Sequence, residues 1–297
     1  MMLAPIALFA YNRPNHLRQT VEALRAARQA RLSRLFVFCD GAKRSQDRDA
    51  VEQVRYYART IEGFASVTVV EWERNLGLAV SITEGVTNLC VEHGCVIVME
   101  DDLLVGPGFL EFMNRSLERY TDEEKVMQVS GYMYPGEFGR PRDTLFLPMT
   151  SCWGWATWKR AWDRYDSTMA GYDVLRHNQA LRRRFDVNGA YDYSGMLKRQ
   201  AAGAIDSWGI RWYLSVFLLE GLVLYPSRSM VRNIGVDGSG THGGHVALQQ
   251  ELAADSELPI RFPERLQIDE AVLARLAYDF RSMQGGLLTR LIRRFVA

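Results

Sequence analysis

The chain has 297 residues, 47% of them hydrophobic and 24% charged, with a formal net charge of +1 at pH 7. That length can bury one large core or two modest ones, and the mixture is ordinary for a globular protein. Near-neutrality removes the electrostatic case for nucleic acid as a partner, and no apolar run spans a bilayer, since the best, 212–225, is broken by Glu220 and Gly221.

Residues 6–10 predict a first strand. Pro14 stands where a first helical turn would begin, with Asn12 as a candidate cap, and Leu17, Val21 and Leu24 recur at helical spacing. Residues 35–39 predict a second strand ending at Asp40-Gly41, 47–60 a polar helix, 67–72 a third strand, 79–91 a helix and 95–99 a fourth strand. The last shows no polar alternation, as a strand covered on both faces should. This βαβαβαβ order predicts an α/β fold, a mostly parallel, doubly wound central sheet with helices on both faces.

Beyond Pro107 the pattern changes. A helix is expected at 109–120, strands at 126–130 and 144–147, and an aromatic-dense stretch at 153–162. Helical patterns follow near 174–185, 191–203 and 207–219, then a late strand at 222–225. The glycine-rich stretch 235–244 reads as a loop. Helices near 268–280 and 286–296 close the chain. The expected organisation is one domain over 1–258, with an elaborated second half, and a C-terminal helical tail over 259–297. Four cysteines, Cys39, Cys90, Cys95 and Cys152, show no CxxC pairing, and the N-terminus has no basic leader or small-residue cleavage site. Both features are expected of a cytoplasmic protein with free thiols and no signal peptide.

The richest chemistry follows the fourth strand, where an apolar run leads straight into Glu100-Asp101-Asp102. In open α/β sheets the ligand site lies beyond the carboxyl ends of the strands. Three adjacent carboxylates repel one another there, and a hard divalent cation, Mg²⁺ or Mn²⁺, would relieve them. The bland alternative is an acidic turn capping the next helix. Arg13 after the first strand suits phosphate, and Asp40 after the second suits a base or ribose. Together these describe a crevice for a nucleoside diphosphate. Neither a GxxxxGK[ST] loop nor a GxGxxG after the first strand is present, so a metal must carry the diphosphate charge. Asp206-Ser207-Trp208 opens a helical segment, either as its cap or as a source of a base. His242 lies in the glycine-rich loop, where it is a metal-ligand candidate or an exposed loop histidine. Trp153, Trp155, Trp158 and Trp162 suit sugar stacking or core packing.

These residues, taken in order, resemble GT-A-fold glycosyltransferases. Ala10-Tyr11-Asn12-Arg13-Pro14, Asp40 and Asn75-Leu76-Gly77 are similar to family 2. Glu100-Asp101-Asp102-Leu103 with Pro107-Gly108-Phe109 is closer to the N-acetylglucosaminyltransferase of N-glycan synthesis, family 13. Trp153-Gly154-Trp155, Asp206-Ser207-Trp208 and Thr241-His242-Gly243 resemble later motifs of the same enzyme, although Ser207 replaces a second aspartate and the tryptophan loop places its glycine differently. The resemblance implies a GT-A (Rossmann-like) sheet with an elaborated acceptor-side half, and inverting, metal-dependent transfer of a sugar from a nucleotide-sugar donor, UDP-linked. It makes Asp102 the protein ligand to Mn²⁺ or Mg²⁺, with His242 at the metal or diphosphate. Asp101 would reach the ribose, Glu100 the donor sugar, Asp40 the base and Arg13 the nucleotide. Trp153, Gly154 and Trp155 would line the donor site, and Asp206 would be the general base.

The expected acceptor is a glycan or lipid-linked hydroxyl in surface polysaccharide synthesis. A sugar-phosphate nucleotidyltransferase and a non-catalytic glycan-binding protein are the alternatives; the first loop, Tyr11-Asn12-Arg13-Pro14, lacks the glycines and lysine of the former. In the tail, Leu287, Leu288, Leu291, Ile292 and Phe295 alternate with Arg290, Arg293 and Arg294. That pattern fits peripheral contact of 286–297 with an anionic inner membrane face, or packing on the domain or on a second copy in a homo-oligomer.

Overall fold

Five consecutive apolar residues make the first strand, β1 (Ile6–Ala10), and all five are buried. The structure, a computed structural model, describes residues 3–140, 142–235, 252 and 261–284. His242 and the segment 286–297 lie outside the described residues. The first half continues through α1 (Pro14–Ala26), β2 (Arg34–Cys39), α2 (Arg48–Arg59), β3 (Ser66–Glu71), α3 (Leu78–His93) and β4 (Cys95–Glu100). Next come β5 (Leu103–Val105), α4 (Phe109–Arg119), β6 (Val126–Ser130), β7 (Thr144–Leu147), β8 (Trp155–Trp158) and α5 (Lys159–Trp162). The remainder is α6 (Tyr172–His177), α7 (Gln179–Phe185), α8 (Tyr193–Ala201), α9 (Trp208–Leu218), β9 (Leu222–Pro226), β10 (Val231–Asn233) and α10 (Glu270–Gln284).

The main sheet has eight strands in the order β3-β2-β1-β4-β8-β6-β9-β7. From β3 to β4 every neighbouring pair is parallel. β8 runs antiparallel to both β4 and β6, while β6 is parallel to β9 and β7 antiparallel to β9. The α/β, mostly parallel sheet expected from the sequence is therefore present, with helices packed against it. Leu17, Val21 and Leu24 form the buried face of α1, as their spacing requires. α1 packs on α2, and α3 packs on β1 and β4.

Winding sets the site. The chain runs outward from β1 to β2 to β3, then returns through α3 to put β4 on the other side of β1. Strand order reverses between β1 and β4, and ligand crevices open at such points beyond the carboxyl ends of the strands. Phe9 pairs with Glu100 and Ala10 with Cys39. The loops carrying Arg13, Asp40 and the acidic triplet thus leave the sheet side by side.

Three elements differ from expectation. β8 lies within the tryptophan-dense stretch, where bulky residues on both faces mask strand alternation. The predicted helix at 174–185 is two helices, divided at Asn178, whose Oδ1 accepts the Leu181 amide at 3.0 Å and so starts α7. A small second sheet pairs β5 with β10, three residues each and too short to show a period. The C-terminal residues described are not detached. Arg261 bridges to Asp143 and Ile268 to Phe146, and Leu276, Ala277 and Phe280 of α10 join the common core. No helix among the described residues is long and apolar enough to cross a membrane.

Candidate active site

The residue after Asn12 determines how the first loop is used. Helix α1 begins at Pro14, whose fixed φ suits a first helical position. Arg13, not the expected Asn12, takes the cap position, and its side chain caps nothing. The Arg13 guanidinium instead crosses to the acidic turn. Its Nη2 donates to Asp101 Oδ1 and, at 2.9 Å, to Asp102 Oδ2. Both residues are buried, at 3% and 8% exposure for the residue as a whole.

Extended alternation would put Glu100 and Asp102 on one face. It stops at Glu100, because Asp101 and Asp102 form a turn between β4 and β5. The turn directs Asp101 and Asp102 together at Arg13. The turn itself is held by its backbone. Thr20 Oγ1 donates to the Asp101 carbonyl at 2.7 Å, and the Ile234 amide to the Asp102 carbonyl at 2.8 Å. The second oxygen of Asp102, Oδ1, is buried with no hydrogen-bond partner among the described residues.

Three carboxylates facing one guanidinium leave uncompensated negative charge. Burial, then the charges of Asp102 and Asp101, push the Glu100 carboxyl up to about 8, against the pull of Arg13. Burial also pushes Asp101 up, to about 6, although Arg13 opposes it. A pH dependence follows. Between the ordinary value of 4.5 and about 8, folded Glu100 keeps a proton that the unfolded chain has released. Stability of the metal-free protein therefore falls as pH rises through that window. Glu100→Gln removes that titration, so its melting temperature should exceed wild type at pH 8 and decline less between pH 5 and pH 8. Equal slopes in a pH series of thermal melts would contradict the assignment.

Asp40 is placed at the crevice, but its oxygens are already engaged. Oδ1 accepts from the amides of Gly41 and Leu76, each at 2.8 Å. Oδ2 accepts from Asn75 Nδ2 at 3.0 Å and the Gly77 amide at 2.9 Å. The carboxylate fastens the Asn75-Leu76-Gly77 loop to the end of β2. Tyr11, to which the sequence assigns no separate role, does similar work: its hydroxyl donates to Asp47 at 3.0 Å and accepts from the Lys43 amide at 2.9 Å. The signal available in sequence was Tyr11's position one residue past β1.

The tryptophan loop divides by residue. Trp153 is half-buried, with its ring edge-on to Tyr132 at 4.7 Å. Gly154 has φ +61°, and a Cβ there would lie 2.8 Å from Val231 Cγ2 and 3.4 Å from Met99 Sδ, so glycine lets this loop cross β10 and β4. Trp155, expected at the donor, is a core residue: it is fully buried and stacks on Trp208 at 5.1 Å. No face of it is open to a sugar. Trp155→Ala should destabilise the fold by about 3–5 kcal/mol, measurable by denaturant unfolding; a loss below 1 kcal/mol would contradict the packing role.

Asp206 is exposed and sits just before α9. Ser207 is the cap, its Oγ accepting from the Ile210 amide at 3.4 Å. Asp206 is thereby left outside the helix, where Arg211 Nη2 donates to it at 2.7 Å. The first turn of α9 leans on the tryptophan loop, since a Cβ at Gly209 would meet Cys152 Sγ at 2.7 Å. Cys152 is close enough to Glu100 for that carboxylate to help raise its thiol pKa, after burial. Packing thus carries the start of α9 against Cys152, beside the tryptophan loop.

No family model matches the sequence, and no curated protein matches it. A solved structure, the mannosyltransferase PcManGT from Pyrobaculum calidifontis in complex with GDP-Man and Mn²⁺, is similar over 73% of this chain and 74% of that chain, with 14% sequence identity and a TM-score of 0.40.

Proposed function

We propose that the protein is an inverting, metal-dependent glycosyltransferase that moves a sugar from a nucleoside diphosphate donor, UDP-linked, to a glycan or lipid-linked hydroxyl in surface polysaccharide synthesis. The observation that carries this reading is the acidic turn at the switch point, with three carboxylates, one guanidinium and a buried, unpartnered Asp102 oxygen. A buried acceptor without a donor calls for a partner, water or ion, and the neighbouring carboxylates favour a cation. The motif order from Arg13 to Asp206 supports the same class.

The donor set fits Mn²⁺ or Mg²⁺. It is all oxygen, and such cations take one or two carboxylates and leave the other positions to phosphate and water. Among the described residues no three His, Cys, Asp or Glu side chains form a group that could hold a metal ion, so the proposed ion would need its remaining ligands from substrate and water. Asp102 would hold the ion, with His242 as a second ligand. Bound there, the cation would neutralise charge on the departing diphosphate.

The protein's own groups do the rest. Arg13 is placed to bond a phosphate oxygen. Asp101, the less exposed of the two turn aspartates, would reach the ribose and Glu100 the donor sugar, with Trp153 and Gly154 lining the donor site. The loop that Asp40 fastens would border the base. Asp206, oriented by Arg211, takes the proton of the acceptor hydroxyl as its oxygen bonds to the anomeric carbon. The bond from that carbon to the diphosphate breaks on the opposite side, so configuration inverts.

A thermal-shift screen of UDP-, GDP- and dTDP-sugars with and without Mn²⁺ tests this reading. A metal-dependent rise for one UDP-sugar, with sugar release and no NTP consumption, is expected. No metal-dependent rise with any nucleotide-sugar would overturn it.

A further inference from the structure

We propose that Arg13 is the resident counter-cation of the metal seat: it neutralises Asp101 and Asp102 in the metal-free protein and must leave Asp102 for the diphosphate before a divalent ion can settle there. The inference rests on the glycosyltransferase reading and adds to it an order of events. Metal and nucleotide enter as a coupled pair, because neither is well accommodated while Arg13 stays in place.

Geometry carries the argument. Among the described residues, Arg13 alone forms ion pairs with Asp101 and Asp102, and a single nitrogen, Nη2, serves both. It occupies Asp102 Oδ2 and leaves Oδ1 bare. A divalent ion reaching Oδ1 would share one carboxylate with a guanidinium already 2.9 Å from its other oxygen. Like charges that close repel strongly where water is scarce. Water is scarce, because the Arg13 side chain is 19% exposed and those of Asp101 and Asp102 are 4% and 12% exposed.

The backbone just beyond β10 also runs close to the pair. A Cβ at Gly235 would lie 2.1 Å from Asp102 Oδ2 and 3.0 Å from Arg13 Nη1. The guanidinium is therefore held in place by its partners and by the chain above them.

Arg13 can leave without unfolding its surroundings. Its carbonyl accepts from the Leu17 amide at 3.0 Å, so its backbone belongs to the start of α1. The side chain caps nothing, and among the described residues its hydrogen bonds go only to the two carboxylates. A diphosphate offers the guanidinium an anionic partner of higher charge. The departing arginine would leave the Asp102 charge without its counter-cation, open to a divalent ion. Linkage makes the effect mutual, so nucleotide and metal tighten each other by the same factor.

The test is Mn²⁺ binding followed by the electron paramagnetic resonance signal of the free ion, with and without UDP, on wild type, Arg13→Gln and Arg13→Lys. In wild type, UDP should tighten Mn²⁺ roughly 5–150-fold. Arg13→Gln should bind Mn²⁺ alone about tenfold or more tighter than wild type, and UDP should then add little. Arg13→Lys keeps the positive charge on a shorter, strongly hydrated ammonium and should fall between them. It also keeps the test alive if the glutamine variant does not fold. If UDP tightens Mn²⁺ in wild type while both variants bind Mn²⁺ alone no better, the counter-cation role is overturned and the functional reading stands. If no protein binds Mn²⁺ with or without UDP, both fall.

Discussion

Asp102→Asn should abolish metal-dependent nucleotide binding and lower turnover by about two orders of magnitude or more. The substitution keeps side-chain shape but removes the charge that a divalent ion needs. It spares the fold, because the Asp102 backbone carbonyl, which accepts from Ile234, is unchanged. Arg13 keeps Asp101 as a partner. One fewer buried negative charge also lessens the repulsion that raises Glu100. The variant should therefore melt no lower than wild type while UDP binding loses its response to Mn²⁺. Calorimetry with UDP, with Mn²⁺ and then with EDTA, checks this. A Mn²⁺ response equal to wild type would remove Asp102 as the ligand.

Asp206→Asn has the second large expected effect. Turnover should fall by about 10²–10⁴-fold, the usual range for losing a general base. Stability should hardly move, since Asp206 is 65% exposed in its pair with Arg211 and exposed ion pairs contribute about 0–1 kcal/mol. Binding of UDP with Mn²⁺ should be unchanged, because Asp206 stands before α9 and not on the acidic turn. A drop in kcat with constant nucleotide affinity and constant melting temperature separates a proton-transfer role from a structural one. Wild-type turnover would exclude Asp206 from the chemistry.

The first half of the fold was legible because its strands are uninterrupted apolar runs and its helices carry clear periodicity. Residues 95–99 declared a buried central strand, and the structure has β4 there, beside β1. The second half was less readable. Trp155 and Trp158 sit in a strand of four residues, too short and too bulky to announce itself. β8 also turns a parallel sheet into a mixed one, and only long-range pairing with β4 and β6 determines that.

Site residues followed the same division. The acidic triplet could be read from sequence because an apolar strand feeds directly into it. That Asp101 and Asp102 share Arg13 could not, because it depends on a turn that breaks strand alternation. Asp40 could be placed at the end of β2, but its four donors come from residues 41 and 75–77, most of them remote in sequence. Trp155 was misplaced because a tryptophan that stacks on a sugar and one that stacks on another tryptophan look alike in sequence.

Crystals grown with Mn²⁺ and UDP, and measured for manganese anomalous scattering, offer the most direct test of the central claim. A peak is expected about 2.1 Å from an Asp102 oxygen, with diphosphate oxygens completing its shell and Arg13 moved onto a phosphate. A nucleotide bound with no peak at Asp102, and Arg13 still paired with that side chain, would contradict it.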